Sequence, residues 1–130
     1  SEDAPCFAPG TPGAQIQPKA ANRADEPVIL KHFVNAFRDT ELKQRLDELG
    51  VTEIVLCGAM SHMCIDAATR AAADFGYKVT LIHDACASRD LTFNGVTVPA
   101  AQVHAAYMAA LGFAYAQLCS TDEFLSAARG

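Results

Sequence analysis

The chain has 130 residues, about half of them hydrophobic and 19% charged, with a formal net charge of −5. That length suits one domain with a core of its own, and the acidic balance argues against nucleic acid or an anionic membrane as a partner. No apolar run approaches the length of a membrane span, so no membrane association is expected.

Residues 1–27 hold five of the six prolines and read as a loop-rich connection. Residues 28–130 read as the regular β/α part of a single domain. Val28-Ile29-Leu30 reads as a short buried strand ending at Lys31. Thr40 is placed to N-cap a helix through Leu42, Leu46 and Leu49, with Gly50 as its stop. A strand is expected over Glu53–Cys57, then a helix from His62 to Phe75 closed by Gly76, then a strand over Lys78–His83. Leu91-Thr92-Phe93 and Val96-Thr97-Val98 flank Asn94-Gly95, a two-residue hairpin signal. Pro99 fits the first turn of a helix reaching Leu111 and stopped by Gly112. Tyr115–Cys119 reads as a last strand, followed by a terminal helix from Thr121. Continuous apolar strands alternating with amphipathic helices predict a parallel sheet covered on both faces, a three-layer α/β/α, doubly wound fold.

The chemistry concentrates at one sheet edge. Ligands of parallel sheets collect beyond the carboxyl ends of the strands, where Lys31, Cys64 and Asp84 follow three predicted strands. Cys64 stands six residues after Gly58 at a helix start, where free backbone N–H groups and the helix dipole favour a thiolate. Neighbouring strands lie about 4.8 Å apart, which leaves Lys31 within reach of Cys64 if the first two strands are adjacent. Each residue also has an ordinary reading: a solvated lysine, a core cysteine, a loop or capping aspartate. The five cysteines, at positions 6, 57, 64, 86 and 119, are odd in number and lack a C-x-x-C. They read as reduced thiols of a cytoplasmic protein rather than a disulfide framework or zinc site, with Cys57 a small buried hydrophobe and Cys6, Cys86 and Cys119 without catalytic role.

The run G-A-M-S-H-M-C-I, preceded by K-H-F-V-N-A-F-R-D-T-E-L and followed by V-T-L-I-H-D-A-C-A-S, resembles the isochorismatase-like cysteine hydrolases over nearly the whole chain. The resemblance implies Cys64 as nucleophile and Lys31 as catalytic lysine. It places a non-proline cis peptide at Ala59–Met60, aiming the backbone N–H groups of Met60 and Cys64 at a substrate oxyanion; plain packing is the other reading of Met60. The implied reaction is hydrolysis of an amide or carbamoyl C–N bond of a small molecule through a thioester. Asn35, Phe37 and His62 are candidates for the substrate pocket. Phe37 reads equally as core, and His62 equally as a solvated helix start. The hairpin either covers the site or packs on another subunit, and Arg89-Asp90 before it reads as a surface ion pair.

The family's third catalytic group, an aspartate ending the first strand of its domain, has no counterpart in this sequence. Asp3 and Asp25 lie in loops and do not match its motif, and Asp84 is the in-chain substitute. The expectation is therefore an N-terminally incomplete domain whose activity requires an upstream segment and whose isolated chain is marginally stable. No cofactor and no metal are expected, since His32, His62, His83 and His104 show no ligand spacing; a homo-oligomer is. The alternatives are a catalytically incompetent remnant serving as an interaction or oligomerisation module, and a redox thiol protein lacking a resolving cysteine.

Overall fold

The computed structural model describes residues 7–129; the readings placed on Asp3 and Cys6 fall outside them. Residues 7–41 are irregular apart from two single 3₁₀ turns, Pro12–Ala14 and Pro18–Ala20, each opened by a proline whose fixed φ suits a first helical position. The strand expected over Val28–Leu30 does not form. Val28 is 57% and Leu30 77% exposed, and no neighbouring strand among the described residues takes up their backbone groups.

Regular structure begins with helix α1, Leu42–Glu48. Thr40 stands just before it, its hydroxyl donating to the Ala36 carbonyl and accepting from the Leu42 N–H. Then follow β1 (Glu53–Ala59), a π-type turn over Ser61–Ile65, α2 (Asp66–Asp74) and β2 (Lys78–Ala87). A hairpin of β3 (Leu91–Phe93) and β4 (Val96–Val98) precedes α3 (Ala100–Ala114), β5 (Gln117–Cys119) and α4 (Thr121–Ala127). The hairpin turn is the expected one: Asn94 and Gly95 both take positive φ, as a type I′ turn demands.

Three parallel strands form the main sheet in the order β1-β2-β5. Ile65, Leu81, Met108 and Leu111 pack together with Leu56 and Leu118, which puts the π-type turn and α3 on the face carrying the even residues of β1. Ala72 of α2, Tyr77 and Val79 continue this layer toward Ile54, Leu46 and Phe37. On the opposite face Thr80 and Cys119 share a cleft with Phe124 of α4, which completes the third layer. That cover is partial. The odd residues of β1 lie bare, Val55 at 48% exposure and Cys57 beside it, so Cys57 is not the buried hydrophobe its strand position suggested.

Strands β1 and β2 both run further than their apolar stretches. Leu56 pairs with Leu81, but the next pair is Gly58 with Cys86, followed by Ala59 with Ala87, so β2 bulges outward and then rejoins β1. Gly58 absorbs the irregularity at φ +129°, a conformation side-chain-bearing residues rarely adopt. Helix α3 likewise passes through Gly112 instead of ending there. A Cβ at position 112 would lie 2.9 Å from Leu118 Cδ1, so the glycine serves close helix–strand approach. Asp90 is no surface ion-pair partner of Arg89 among the described contacts; its carboxylate accepts the Ala100 N–H at the start of α3, with Pro99 as N-cap. Among the described residues no helix is long and apolar enough to cross a membrane.

Helix α4 is held by carboxylates at its start. Ser120 and Glu123 form a capping box, and Asp84 accepts from both the N–H and the hydroxyl of Thr121 at 2.8 and 2.9 Å. Asp84 is thus a capping residue. These hydrogen bonds, the Thr121 N–H foremost, hold its pKa below the ordinary 3.8. The folded state therefore binds fewer protons than the unfolded state in that range. The contribution of Asp84 is complete above pH 3.8 and drains away as pH falls through the lowered folded value. Acid titration followed by circular dichroism should show Asp84→Asn less stable than wild type at neutral pH, with a shallower loss of stability below that point. Gly112→Ala offers a second check on the packing. Helix propensity favours alanine by about 1 kcal/mol, while overpacking against Leu118 costs about 1–3 kcal/mol. A lowered midpoint in thermal unfolding is the expected outcome.

Candidate active site

Lys31 closes the extended stretch after Pro27 and lies partly buried. Its ammonium group donates to the carbonyls of Phe33 (2.9 Å) and Val34 (3.3 Å) and to Cys64 Sγ (3.2 Å). An ammonium has three donors and no acceptor, so these three partners use its full capacity and fix its direction. The chain bends back around it through local polar contacts. Asn35 Oδ1 accepts the Phe37 N–H at 3.0 Å, and the Asn35 carbonyl accepts from Arg38. Phe37 anchors this bend in the core, its ring edge-on to Phe75 at 5.3 Å and stacked on Tyr77 at 6.4 Å. The Arg38 guanidinium covers the Phe33 ring at 3.8 Å.

Cys64 approaches from the other side. It lies within the π-type turn that precedes α2 rather than in the helix itself. The Ala59–Met60 peptide leading into that turn is cis. The Met60 carbonyl accepts the N–H groups of Met63 (3.0 Å) and Ile65 (3.2 Å), which folds residues 60–65 into a closed loop.

Two consecutive side chains tie this loop to the rest of the molecule. Ser61 is fully buried; its hydroxyl donates to the Ala87 carbonyl at 3.1 Å and lies 2.8 Å from His104 Nδ1. His62, 7% exposed, places Nδ1 2.8 Å from Ser88 Oγ and its ring against Tyr107. Burial, reinforced by the nearby positive charge of Arg89, holds the His62 pKa below its usual range and keeps the ring neutral.

The structure therefore brings Lys31 and Cys64 together, with the Ala59–Met60 peptide four residues before the cysteine. It does not gather the three pocket candidates. Phe37 is core, the Asn35 side-chain oxygen is spent on its own turn, and His62 faces Ser88 and Tyr107 instead of solvent or an open pocket. No carboxylate among the described residues hydrogen-bonds Lys31 or Cys64, and none of their His, Cys, Asp and Glu side chains group in threes to hold a metal ion. The pairs Ser61–His104 and His62–Ser88 were not identifiable from sequence, because their partners lie 43 and 26 residues apart and meet only through the fold.

With this geometry in place, the relatives of the chain are informative. The isochorismatase domain family matches residues 1–122. An uncharacterized isochorismatase family protein of Bacillus subtilis, YddQ, is 45% identical over 119 residues, covering 92% of this chain and 66% of that protein. A streptothricin hydrolase of Streptomyces noursei is 40% identical over 108 residues, covering 81% of this chain and 39% of that protein. A solved structure from Oleispira antarctica superposes with a TM-score of 0.91 at 56% identity, covering 97% of this chain and 67% of that one. The chain thus spans two thirds or less of the length of the curated relatives named here. By these likenesses the chain belongs to the isochorismatase family.

Proposed function

We propose that the chain carries the nucleophile and the lysine of a cysteine hydrolase that cleaves an amide or carbamoyl C–N bond of a small molecule. The observation that carries this reading is the 3.2 Å contact between Lys31 Nζ and Cys64 Sγ, made across 33 residues of sequence. There the ammonium donates to the sulfur and is placed to steady the charge of a nucleophile at that position. The relative named as a streptothricin hydrolase supports a hydrolytic reaction.

In this mechanism the Cys64 thiolate attacks the carbonyl carbon, forming a C–S bond as the carbonyl π pair moves onto oxygen. The backbone N–H groups of Met60 and Cys64 serve as the donors for that oxyanion. Collapse restores the carbonyl, breaks the C–N bond and expels the amine, which takes up a proton. Water then attacks the thioester, releasing the acid and regenerating the thiolate. The proton that the amine takes up is drawn from water, and an equal one is released when water hydrolyses the thioester. In this reading the assembled form is a homo-oligomer.

Alkylation separates this reading from an ordinary thiol. Among the described cysteines Cys57 is exposed, while Cys64, like Cys86 and Cys119, is partly buried. If exposure alone governed reactivity, iodoacetamide would modify Cys57 first. The expected order is the reverse, read by peptide mass spectrometry, and Lys31→Met should slow Cys64 while leaving Cys57 unchanged. Preferential modification of Cys57 would sink the proposal. In an ammonia-release assay over small primary amides and carbamoyl compounds, Cys64→Ala should reduce turnover to background. Lys31→Met should lower it by about 10²-fold or more.

A further inference from the structure

We propose that His104 is a positioning residue of this site, acting through Ser61 to hold the Met60–Cys64 loop in register with the cysteine. The inference rests on the reading of Cys64 as the nucleophile and concerns a residue of α3 that touches neither Cys64 nor Lys31 in any described hydrogen bond.

Proton counting gives the direction of the contact. The Ser61 hydroxyl has one proton, and the Ala87 carbonyl at 3.1 Å can only accept it. The 2.8 Å contact between Ser61 Oγ and His104 Nδ1 therefore has the ring nitrogen as donor. A neutral His104 is consequently the Nδ1–H tautomer. The fully buried Ser61 then joins three elements: the loop that carries it, the end of β2 and the helix α3. Ser61 directly follows Met60, whose N–H is assigned to the oxyanion, and precedes Cys64 by three residues. His62 repeats the attachment one residue later, to Ser88. The loop is thereby held from outside at the two positions that follow the assigned oxyanion donor Met60, while the Lys31–Cys64 contact is made separately.

This separation makes the role measurable. A positioning residue for the oxyanion donors should affect formation of a tetrahedral adduct more than it affects the thiol. The probes are acetaldehyde labelled at the carbonyl carbon, whose hemithioacetal with Cys64 is followed by carbon NMR, and iodoacetamide, whose displacement reaction needs only the thiolate. In the full chain, His104→Ala should weaken the hemithioacetal about tenfold while changing the alkylation rate at Cys64 by less than about twofold. His104→Asn, which keeps an N–H donor, should recover most of the adduct, and Ser61→Ala should reproduce the His104→Ala loss. Nitrogen NMR of the wild-type ring should show His104 protonated at Nδ1, a measurement that holds even where His104→Ala does not fold.

A neutral His104 with bare Nδ1, or an undiminished adduct in His104→Ala, would overturn the inference. So would a parallel fall of adduct and alkylation, since that marks a general packing role. A wild-type chain that alkylates at Cys64 yet forms no hemithioacetal would instead overturn the assigned oxyanion donors, and this inference with them.

Discussion

The site depends on β1 and β2 pairing a second time. Leu56 and Leu81 close the first stretch of the ladder, and Gly58 and Cys86 open the second, so Ile82 to Ala85 stand opposite Cys57 alone. Parallel neighbours lie about 4.8 Å apart, and only because the strands rejoin does the backbone of β2 still run alongside β1 as β1 ends. Ala87 and Ser88 are then in place to meet Ser61 and His62. A strand that stopped at His83, where its apolar run stops, would leave the Cys64 loop without either attachment. The bulge requires Gly58, whose φ of +129° a side chain would resist.

Around this axis the molecule is packed unevenly. Leu81 and Leu111 are fully shielded between the sheet and α3, the setting in which a truncation to alanine costs about 2–5 kcal/mol. Among the described residues the other face has only α4, seven residues long and dependent on Asp84, Ser120 and Glu123 at its first turn. The cysteine lies over the well-packed face, where Ile65, one residue further on, is part of the core. The position of Cys64 is thus set by the hydrophobic layer beneath it.

Much of this was legible in the residues, for identifiable reasons. Strand–helix alternation exposed the parallel sheet, Asn94-Gly95 specified its turn, Lys31 stood out as a charge ending an apolar run, and Cys64 as a thiol at a helix start beyond Gly58. Three kinds of information were hidden. Val28–Leu30 has the composition of a strand, but composition cannot tell whether a partner strand lies alongside. Gly112 resembles a helix stop, and only the approach of Leu118 shows why the helix continues. Phe37 follows the lysine closely enough to suggest a pocket, yet its ring is claimed by Phe75 and Tyr77, which come from the far end of α2 and the start of β2. Ser61 and His104 illustrate the general limit: hydrogen-bond partners 43 residues apart leave no periodic trace.

The two halves of the Lys31–Cys64 contact differ in how they are secured. Cys64 belongs to a loop fastened to strand, helix and core, whereas Lys31 belongs to an irregular stretch whose main hold on the body is the Phe37 ring. Segments with few buried contacts open at free energies well below that of global unfolding. The Lys31–Cys64 contact is thus the part of this arrangement that opens most readily, and warming would loosen it before it melts the sheet, leaving a folded chain with a solitary thiol.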